Sequence, residues 1–410
     1  MGFMIRTVWN SRWLLGLLVG GLPSCSDSPM SAPACYRSLA SESTLTQETP
    51  AWRTVAEPLL DGEGISEEVT VSITSGAASL ALRVSAPDDP KACVQLHSVS
   101  DSNNNSWVTP PTLIADYGSF CVSCPQRTQV GVGGGVYVLP STHPAPTVTA
   151  AMRVRAALRD CTTFLPYRST PGRPDRLRVE ALATATTLSS GPGEVLIELV
   201  LTPGSFLYAD ASALPTPLAE AIAQVNAILQ PGSLSITPLR VRRATISDPL
   251  TLAPGDHSAL TTFVDSLRSC QQAGELPRSM VLPVVLAGCI RISDPVAQTT
   301  SEPEGYVPHI PDGISSSHGS YGVYLRGHSC QGDGTPFGLQ SGQLAKLLAH
   351  ELGHALGLYH TVESNGTTDQ LADTDADNLM NYKPSVVAGL GSGFTSSQLA
   401  VMRRHPLVRY

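Results

Sequence analysis

Charge is scarce in this chain. Of its 410 residues, 26 are Lys or Arg and 34 are Asp or Glu, a net charge of −8, and the basic residues form no stripe. Phosphate backbones are bound by clustered Lys and Arg, so the charge argues against nucleic acid as the main partner. Long apolar runs are short of what a membrane span needs. The N-terminal run Trp13 to Leu22 is too brief to cross a bilayer as a permanent helix. Gly and Pro, at 35 and 33, are plentiful instead, which argues for a loop-rich and β-rich chain over a helical bundle. The length exceeds one simple core and is enough for two domains.

The N-terminus reads as an export signal over residues 1–24. Arg6 and Arg12 supply its positive end and Trp13 to Leu22 its apolar stretch. It ends in Leu22-Pro23-Ser24-Cys25, followed by Ser26 and Asp27. This resembles a bacterial lipobox, which implies a lipid on Cys25 and a membrane anchor outside the cytoplasm. Pro23 departs from that pattern, and the competing reading is a plain secretory signal with Cys25 unmodified. Setting Cys25 aside, eight of the nine cysteines remain: Cys35, Cys93, Cys121, Cys124, Cys161, Cys270, Cys289 and Cys330. An even set in an exported chain points to disulfides, whose connectivity spacing alone does not give. The pair Cys121 and Cys124 lacks a second ligand pair for a structural zinc, so a disulfide is expected there too.

Residues 25–50, rich in Ser, Thr, Pro and Glu, read as a flexible tether. Over 51–168 the pattern changes to short strands: Val69 to Ile73 and Leu80 to Val84 alternate, and Val130 to Val138 brackets a glycine run. Val148 to Leu158 is a further strand or short helix. A β-sandwich or jelly roll is expected here. His97 and His143 stand alone and read as structural or surface residues. The segment is a candidate pro-domain, surface-binding module or spacer, with latency through a Cys121 or Cys124 thiolate as a further option. Residues 169–192, with Pro171, Pro174 and a Ser-Ser-Gly-Pro-Gly ending, read as a linker before a catalytic domain at 193–410. There, Glu194 to Thr202 is an apolar strand. Leu218, Ile222, Val225 and Leu229 recur at helical spacing, ended by Pro231-Gly232. Leu239 and Val241 alternate with Arg240 and Arg242 as in a half-buried strand. Leu260, Phe263, Val264 and Leu267 mark another helix. Met280 to Ile292 is a near-continuous apolar strand broken by Pro283, and Tyr321 to Arg326 a shorter one. The whole is of the α+β class.

The chemistry concentrates in His350-Glu351-Leu352-Gly353-His354-Ala355-Leu356-Gly357-Leu358-Tyr359-His360. On a helix over 341–356, begun at Ser341, His350 and His354 stand one turn apart on the same face. Leu344, Leu348, Leu352 and Ala355 fall opposite, toward a core. Glu351 flanks the imidazole pair, badly placed to share an ion with them but well placed to hold a water beside it. Gly357 can take the left-handed conformation that stops the helix and turns His360 back as a third imidazole. Three neutral nitrogens with one open position is the pattern of a catalytic zinc, not a closed structural one.

The spacing H-E-x-x-H-x-x-G-x-x-H resembles that of the metzincin metallopeptidases. Downstream, Asn378-Leu379-Met380-Asn381-Tyr382 resembles that family's methionine turn, and Asp373-Thr374 ahead of it is similar to the pappalysin and cytophagalysin branch. The resemblance covers the last half of the chain and is specific from His350 to Tyr382. It implies a twisted mixed sheet, a zinc helix, a Met-turn and a C-terminal helix. It also implies Zn²⁺ on His350, His354 and His360, Glu351 as general base, Met380 as apolar floor, and Tyr382 as a hydrogen-bond donor to the oxyanion. A sheet edge would receive a peptide or protein substrate as an extra strand. The run Asp369 to Asp377 fails the EF-hand pattern; it admits a different Ca²⁺ site or a solvated acidic loop. Thr395-Ser396-Ser397-Gln398 has capping-box spacing ahead of a last helix. The activity implied is zinc-dependent hydrolysis of peptide bonds. The alternatives are an inactive surface-binding or adhesion lipoprotein and a zinc amidase or deacetylase.

Overall fold

The computed structural model describes residues 36–39, 52–73, 77–89, 92–110, 124–161, 167, 174–183, 191–210, 212–244, 250–252, 281–294, 299–312, 322–327, 330, 341–364, 366–383 and 393–410. Residues 35–410 group as one compact unit. The chain is mixed α+β, rich in sheet and poor in helix. Among the described residues no helix is long and apolar enough to cross a membrane. The export signal, Cys25, Cys35, Cys121, Cys270 and the helix expected around Leu260 to Leu267 lie outside the described residues.

Strand β1 (Tyr36–Ser38) comes from the segment read as a tether. Strand pairing is made by the backbone, so its polar composition did not forbid it. The strands that follow are β2 (Arg53–Ala56), β3 (Val69–Ser72), β4 (Leu80–Ser85), β5 (Cys93–Asp101), β6 (Ser106–Val108), β7 (Gly131–Val132), β8 (Gly135–Leu139), β9 (Ala151–Arg159) and β10 (Arg178–Ala183). They form a four-stranded sheet in the order β2-β10-β4-β8 and a five-stranded one in the order β3-β9-β5-β6, with β7 on β5. The two enclose one apolar core containing Val71, Leu82, Leu96, Tyr137, Met152, Val154 and Val179. The disulfide Cys93–Cys161 closes the end of β5 against the end of β9, with Cα atoms 5.3 Å apart. Residues 178–183, inside the segment read as a linker, are β10, the strand between β2 and β4. Its period of two was masked by charge on alternate positions. Glu180 faces Arg83 across the β10–β4 register and binds it at 2.5 Å in a buried pair.

The second half contributes β11 (Gly193–Leu201), helix α1 (Thr216–Leu229), β12 (Leu234–Arg243), β13 (Leu250–Leu252), β14 (Leu282–Ala287), β15 (Ile290–Asp294), β16 (Thr299–Ser301), β17 (Gly305–Tyr306), β18 (Val323–Arg326), α2 (Ser341–Ala355) and α3 (Ser396–Met402). A six-stranded sheet runs β1-β12-β11-β14-β18-β17. Its inner strands β12, β11, β14 and β18 are parallel, and the two edges, β1 and β17, are antiparallel. One face carries Val195, Ile197, Leu199 and Leu201 of β11 into a core with Leu218, Ile222 and Val225 of α1 and Leu344, Leu348 and Leu352 of α2. Ala81, Val136, Val138 and Leu182 of the four-stranded sheet join that same core, so that sheet is buried on both faces.

Two details of the second half differ from expectation. Pro283 does not break the apolar run; it lies inside β14, and the interruption is Gly288-Cys289, after which β15 starts. Cys289 is tied to Cys330 with Cα atoms 5.0 Å apart. Strand β12 is not half-buried. Arg240 and Arg242 are as enclosed as Leu239 and Val241, because Glu198 on neighbouring β11 lies 3.2 Å from Arg240 Nε and 2.7 Å from Arg242 Nε. Charges leave water only when they are paired, and here one carboxylate serves two guanidinium groups.

Candidate metal centre

Helix α2 carries His350, Glu351 and His354, all of them buried. It ends after Ala355 because Gly357 takes a left-handed backbone with φ 102°. The turn is closed by Leu358 N–H donating to Gly353 O at 2.8 Å and Gly357 N–H to His354 O at 3.0 Å, a Schellman arrangement. The chain then reverses and returns His360 to the helix. The three imidazoles present ring nitrogens within 4.8 Å of one another. Their centroids are 4.7 Å apart for His350 and His354, 4.6 Å for His354 and His360, and 5.4 Å for His350 and His360.

Each ring is oriented through its Nδ1. His350 Nδ1 lies 2.8 Å from Leu379 O, His354 Nδ1 2.7 Å from Leu358 O, and His360 Nδ1 2.8 Å from Glu363 Oε2. Carbonyl and carboxylate oxygens accept hydrogen bonds, so each Nδ1 is the donor and each Nε2 is the nitrogen turned toward the other rings. Nε2 of His354 and Nε2 of His360 are 3.1 Å apart. Burial, with His360 adding to it, pushes His350 down to about 3, and burial likewise holds His354 well below the ordinary imidazole value. Converging nitrogen donors of this kind fit a metal ion. Two nitrogens bound to one tetrahedral ion at about 2.0–2.1 Å lie roughly 3.3 Å apart, close to what these two rings show. Among the described residues no other group of His, Cys, Asp and Glu side chains is assembled to hold an ion.

The turn below the helix supports His350. Met380 is fully buried, and its sulfur would stand 2.6 Å from a Cβ placed on Gly353, between the two helical histidines. Asn378 holds the turn: its Oδ1 accepts from Met380 N at 2.8 Å and from Gln398 Nε2 at 2.9 Å. Gln398 belongs to the capping box of α3, formed with Thr395 as the spacing predicts. Helix α3 therefore braces the turn whose Leu379 carbonyl aims His350.

The acidic run caps and closes local turns. Asp373 accepts from Thr395 Oγ1, Ser396 Oγ and Ser397 N, each at 3.0 Å, at the start of α3. Asp369 accepts from Thr374 Oγ1 at 2.6 Å, and Asp375 from Asp377 N at 3.1 Å. Cys124 is disulfide-bonded, which removes it as a blocking thiolate.

A cleft of about 440 Å³ opens over the triad, lined by Glu304, Gly305, Tyr306, His350, Glu351, His354, His360, Tyr382 and Lys383 among others. Edge strand β17 forms one wall. Gly305 lies against Glu351, where a Cβ would overlap Oε1, Cδ and Cγ of the carboxylate. Burial, with the Glu304 carboxylate adding to it, pushes Glu351 up to about 8. Tyr382 also lines the cleft, under the Lys383 ammonium, which sits 5.2 Å from its ring centroid.

The structure thus brings together His350, Glu351, His354, His360, Met380 and Tyr382, all singled out from sequence. It adds Glu363, Gly305 and Glu304, which were not. Glu363 sits three residues after His360, a spacing that could have flagged it. Gly305 and Glu304 carried no signal before the sheet edge was placed.

No family model matches the chain, and no curated protein does. Among solved structures, metalloproteinase-II from Bacteroides fragilis is similar at 14% identity and a TM-score of 0.29, over 56% of this chain and 62% of that one. This chain thus spans less than two thirds of that protein, a likeness too slight to transfer an activity.

Proposed function

We propose that the chain is a zinc-dependent endopeptidase of metzincin type. The observation that carries this reading is the convergence of three Nδ1-anchored imidazoles under a cleft whose wall is a sheet edge, with Glu351 buried beside them. The motif spacing, the left-handed Gly357 and Met380 packed under the helix support the family, with Asp373-Thr374 favouring the pappalysin and cytophagalysin branch.

His350, His354 and His360 would hold the ion through Nε2. Zn²⁺, when bound there, supplies Lewis acidity toward a peptide carbonyl and acidifies water toward neutral pH. The protein's own groups do the rest. Glu351 accepts a proton from the attacking water on a carboxylate oxygen and passes it to the leaving amine as the C–N bond breaks. A carboxyl raised toward neutrality is matched to both transfers. Gly305 and Tyr306 present an antiparallel edge on which a peptide adds as a strand, its backbone aligned across Glu351. Tyr382, which also lines the cleft, donates a hydrogen bond to the carbonyl oxygen as negative charge builds on it. The N-terminal pattern supports export with Cys25 as the lipid attachment point, and the disulfides Cys93–Cys161 and Cys289–Cys330 suit an oxidising compartment.

The test is Glu351→Gln in the full chain. Metal content and folding stay as in wild type, and casein cleavage is lost, as it is when wild type is treated with a chelator. Cleavage by purified Glu351→Gln at the wild-type rate would end this reading. A metal-loaded wild type that cleaves no peptide would favour a binding protein instead.

A further inference from the structure

Two of the three histidines are held by rigid parts of the fold. His350 and His354 sit on α2 and bond to backbone carbonyls that the Met-turn and the helix end fix. His360 differs. It follows the helix, its side chain is the most exposed of the three at 25%, and its Nδ1 bonds to a side chain, Glu363. A glutamate has three rotatable bonds, so something must hold it.

The group that does so comes from the other half of the molecule. Arg127 lies between β6 and β7, and its side chain is 4% exposed. Its Nη1 is 3.4 Å from Glu363 Oε1, while Glu363 Oε2 takes the His360 Nδ1 hydrogen at 2.8 Å. The same guanidinium stacks on Tyr359, the residue before His360, with Cζ 4.9 Å from the ring centroid. Tyr359 OH donates to Ile310 O at 3.3 Å, and Ile310 N–H donates to Gln129 Oε1 at 2.7 Å. Gln370 Nε2 donates to Cys124 O. Residues 124–129 of the β-sheet half therefore grip the segment that carries the third histidine.

We propose that Arg127 is a positioning residue of the metal centre: acting through Glu363, it fixes the imidazole of His360, so that the N-terminal β-sheet half sets the affinity of the three-histidine site. The inference rests on reading those histidines as a metal centre. Removing partners that orient a ligand histidine typically weakens metal binding roughly ten- to hundredfold.

The full-length protein is stripped with a chelator and titrated with Zn²⁺ against a competing indicator. Co²⁺ is titrated in parallel, because its visible absorption reports the ligand field of the imidazoles. Arg127→Met weakens binding roughly ten- to hundredfold and alters the Co²⁺ spectrum. Arg127→Lys, a point charge without the planar fork, falls between Arg127→Met and wild type. Glu363→Gln also weakens binding, and adding Arg127→Met to it produces no further loss, since both act on one ring. A merely structural ion pair would lower the unfolding temperature of the stripped protein while leaving the spectrum and affinity alone. Wild-type affinity in Arg127→Met, or losses that multiply in the double variant, overturns the proposal. Should Arg127→Met not fold, wild-type affinity in Arg127→Lys overturns it equally. A wild type that takes up neither ion ends the metal reading itself, an outcome distinct from these.

Discussion

Gly305 and Glu351 share one small volume. The edge strand passes so close to the carboxylate that any side chain at 305 would overlap Oε1, Cδ and Cγ. A methyl group there must turn the glutamate out of its place, since the strand is held to β18 by the Gly305–Leu325 pairing. Misplacing a catalytic group by about 1 Å costs on the order of a hundredfold in rate. Gly305→Ala is therefore expected to lower peptide hydrolysis about a hundredfold while metal content, measured by elemental analysis, stays at the wild-type level. Wild-type turnover in this variant would mean that Glu351 is not the proton carrier or that its position does not matter.

Gly353 offers a case where two effects oppose and their sizes decide. Alanine in a helix interior is favoured over glycine by about 1 kcal/mol. At this position its Cβ would stand 2.6 Å from Met380 Sδ and 3.2 Å from both Met380 Cε and Phe394 Cε1. Overpacking a closed core costs about 1–3 kcal/mol. Met380 is fully enclosed and cannot swing away. Gly353→Ala should thus destabilise the metal-stripped protein by about 1 kcal/mol in urea unfolding, against the propensity trend. A stabilised variant would show that the Met-turn yields freely.

Much of the centre was legible because its geometry is local. Four residues of helix bring His350 over His354, one left-handed glycine brings His360 back, and Thr395 and Gln398 cap α3 within a single turn. What could not be read is what the fold joins from afar. Arg127 meets Glu363 across a sequence separation of 236, and no periodicity marks either residue. Strand β10 escaped notice because Arg178 and Glu180 occupy alternate positions whose partners are distant in sequence: Glu57, just after β2, and Arg83 on β4. Arg240 and Arg242 looked solvated for the same reason. An alternating charge reads as exposed until its counter-charge is found.

That counter-charge makes Glu198 a sensitive position. It is 3% exposed and is shared by Arg240 and Arg242, which are 0% and 2% exposed. Removing one member of a buried ionic group costs about 3–5 kcal/mol. Glu198→Leu, close in volume, is expected to lose that much, read as a lower urea midpoint with an unchanged slope. Glu198→Gln, which keeps a hydrogen-bond acceptor, should lose less. A Glu198→Leu protein as stable as wild type would show that the two guanidinium groups find water or other acceptors.

His405 makes acid stability measurable away from the metal centre. It is buried beyond the end of α3; its Nδ1 accepts from Leu407 N at 3.2 Å, and its Nε2 is enclosed without a hydrogen-bond partner. Burial pushes it from 6.5 down to about 3. Between those values the unfolded chain carries a proton on this ring and the folded chain does not. Folding is then opposed by acid: the stability is complete above pH 6.5 and falls as pH drops, until the folded ring itself protonates near 3. The slope from one such group is about 1.4 kcal/mol per pH unit. His405→Phe removes that proton site and the Leu407 hydrogen bond, the latter worth about 1 kcal/mol at every pH. The variant should therefore start slightly less stable at pH 8 and lose stability more slowly as pH is lowered, so that the two urea-midpoint curves converge and cross on the acid side. The remaining histidines contribute equally to both proteins and cancel in the difference. Parallel curves would show that the ring is protonated, or solvated, in the folded state.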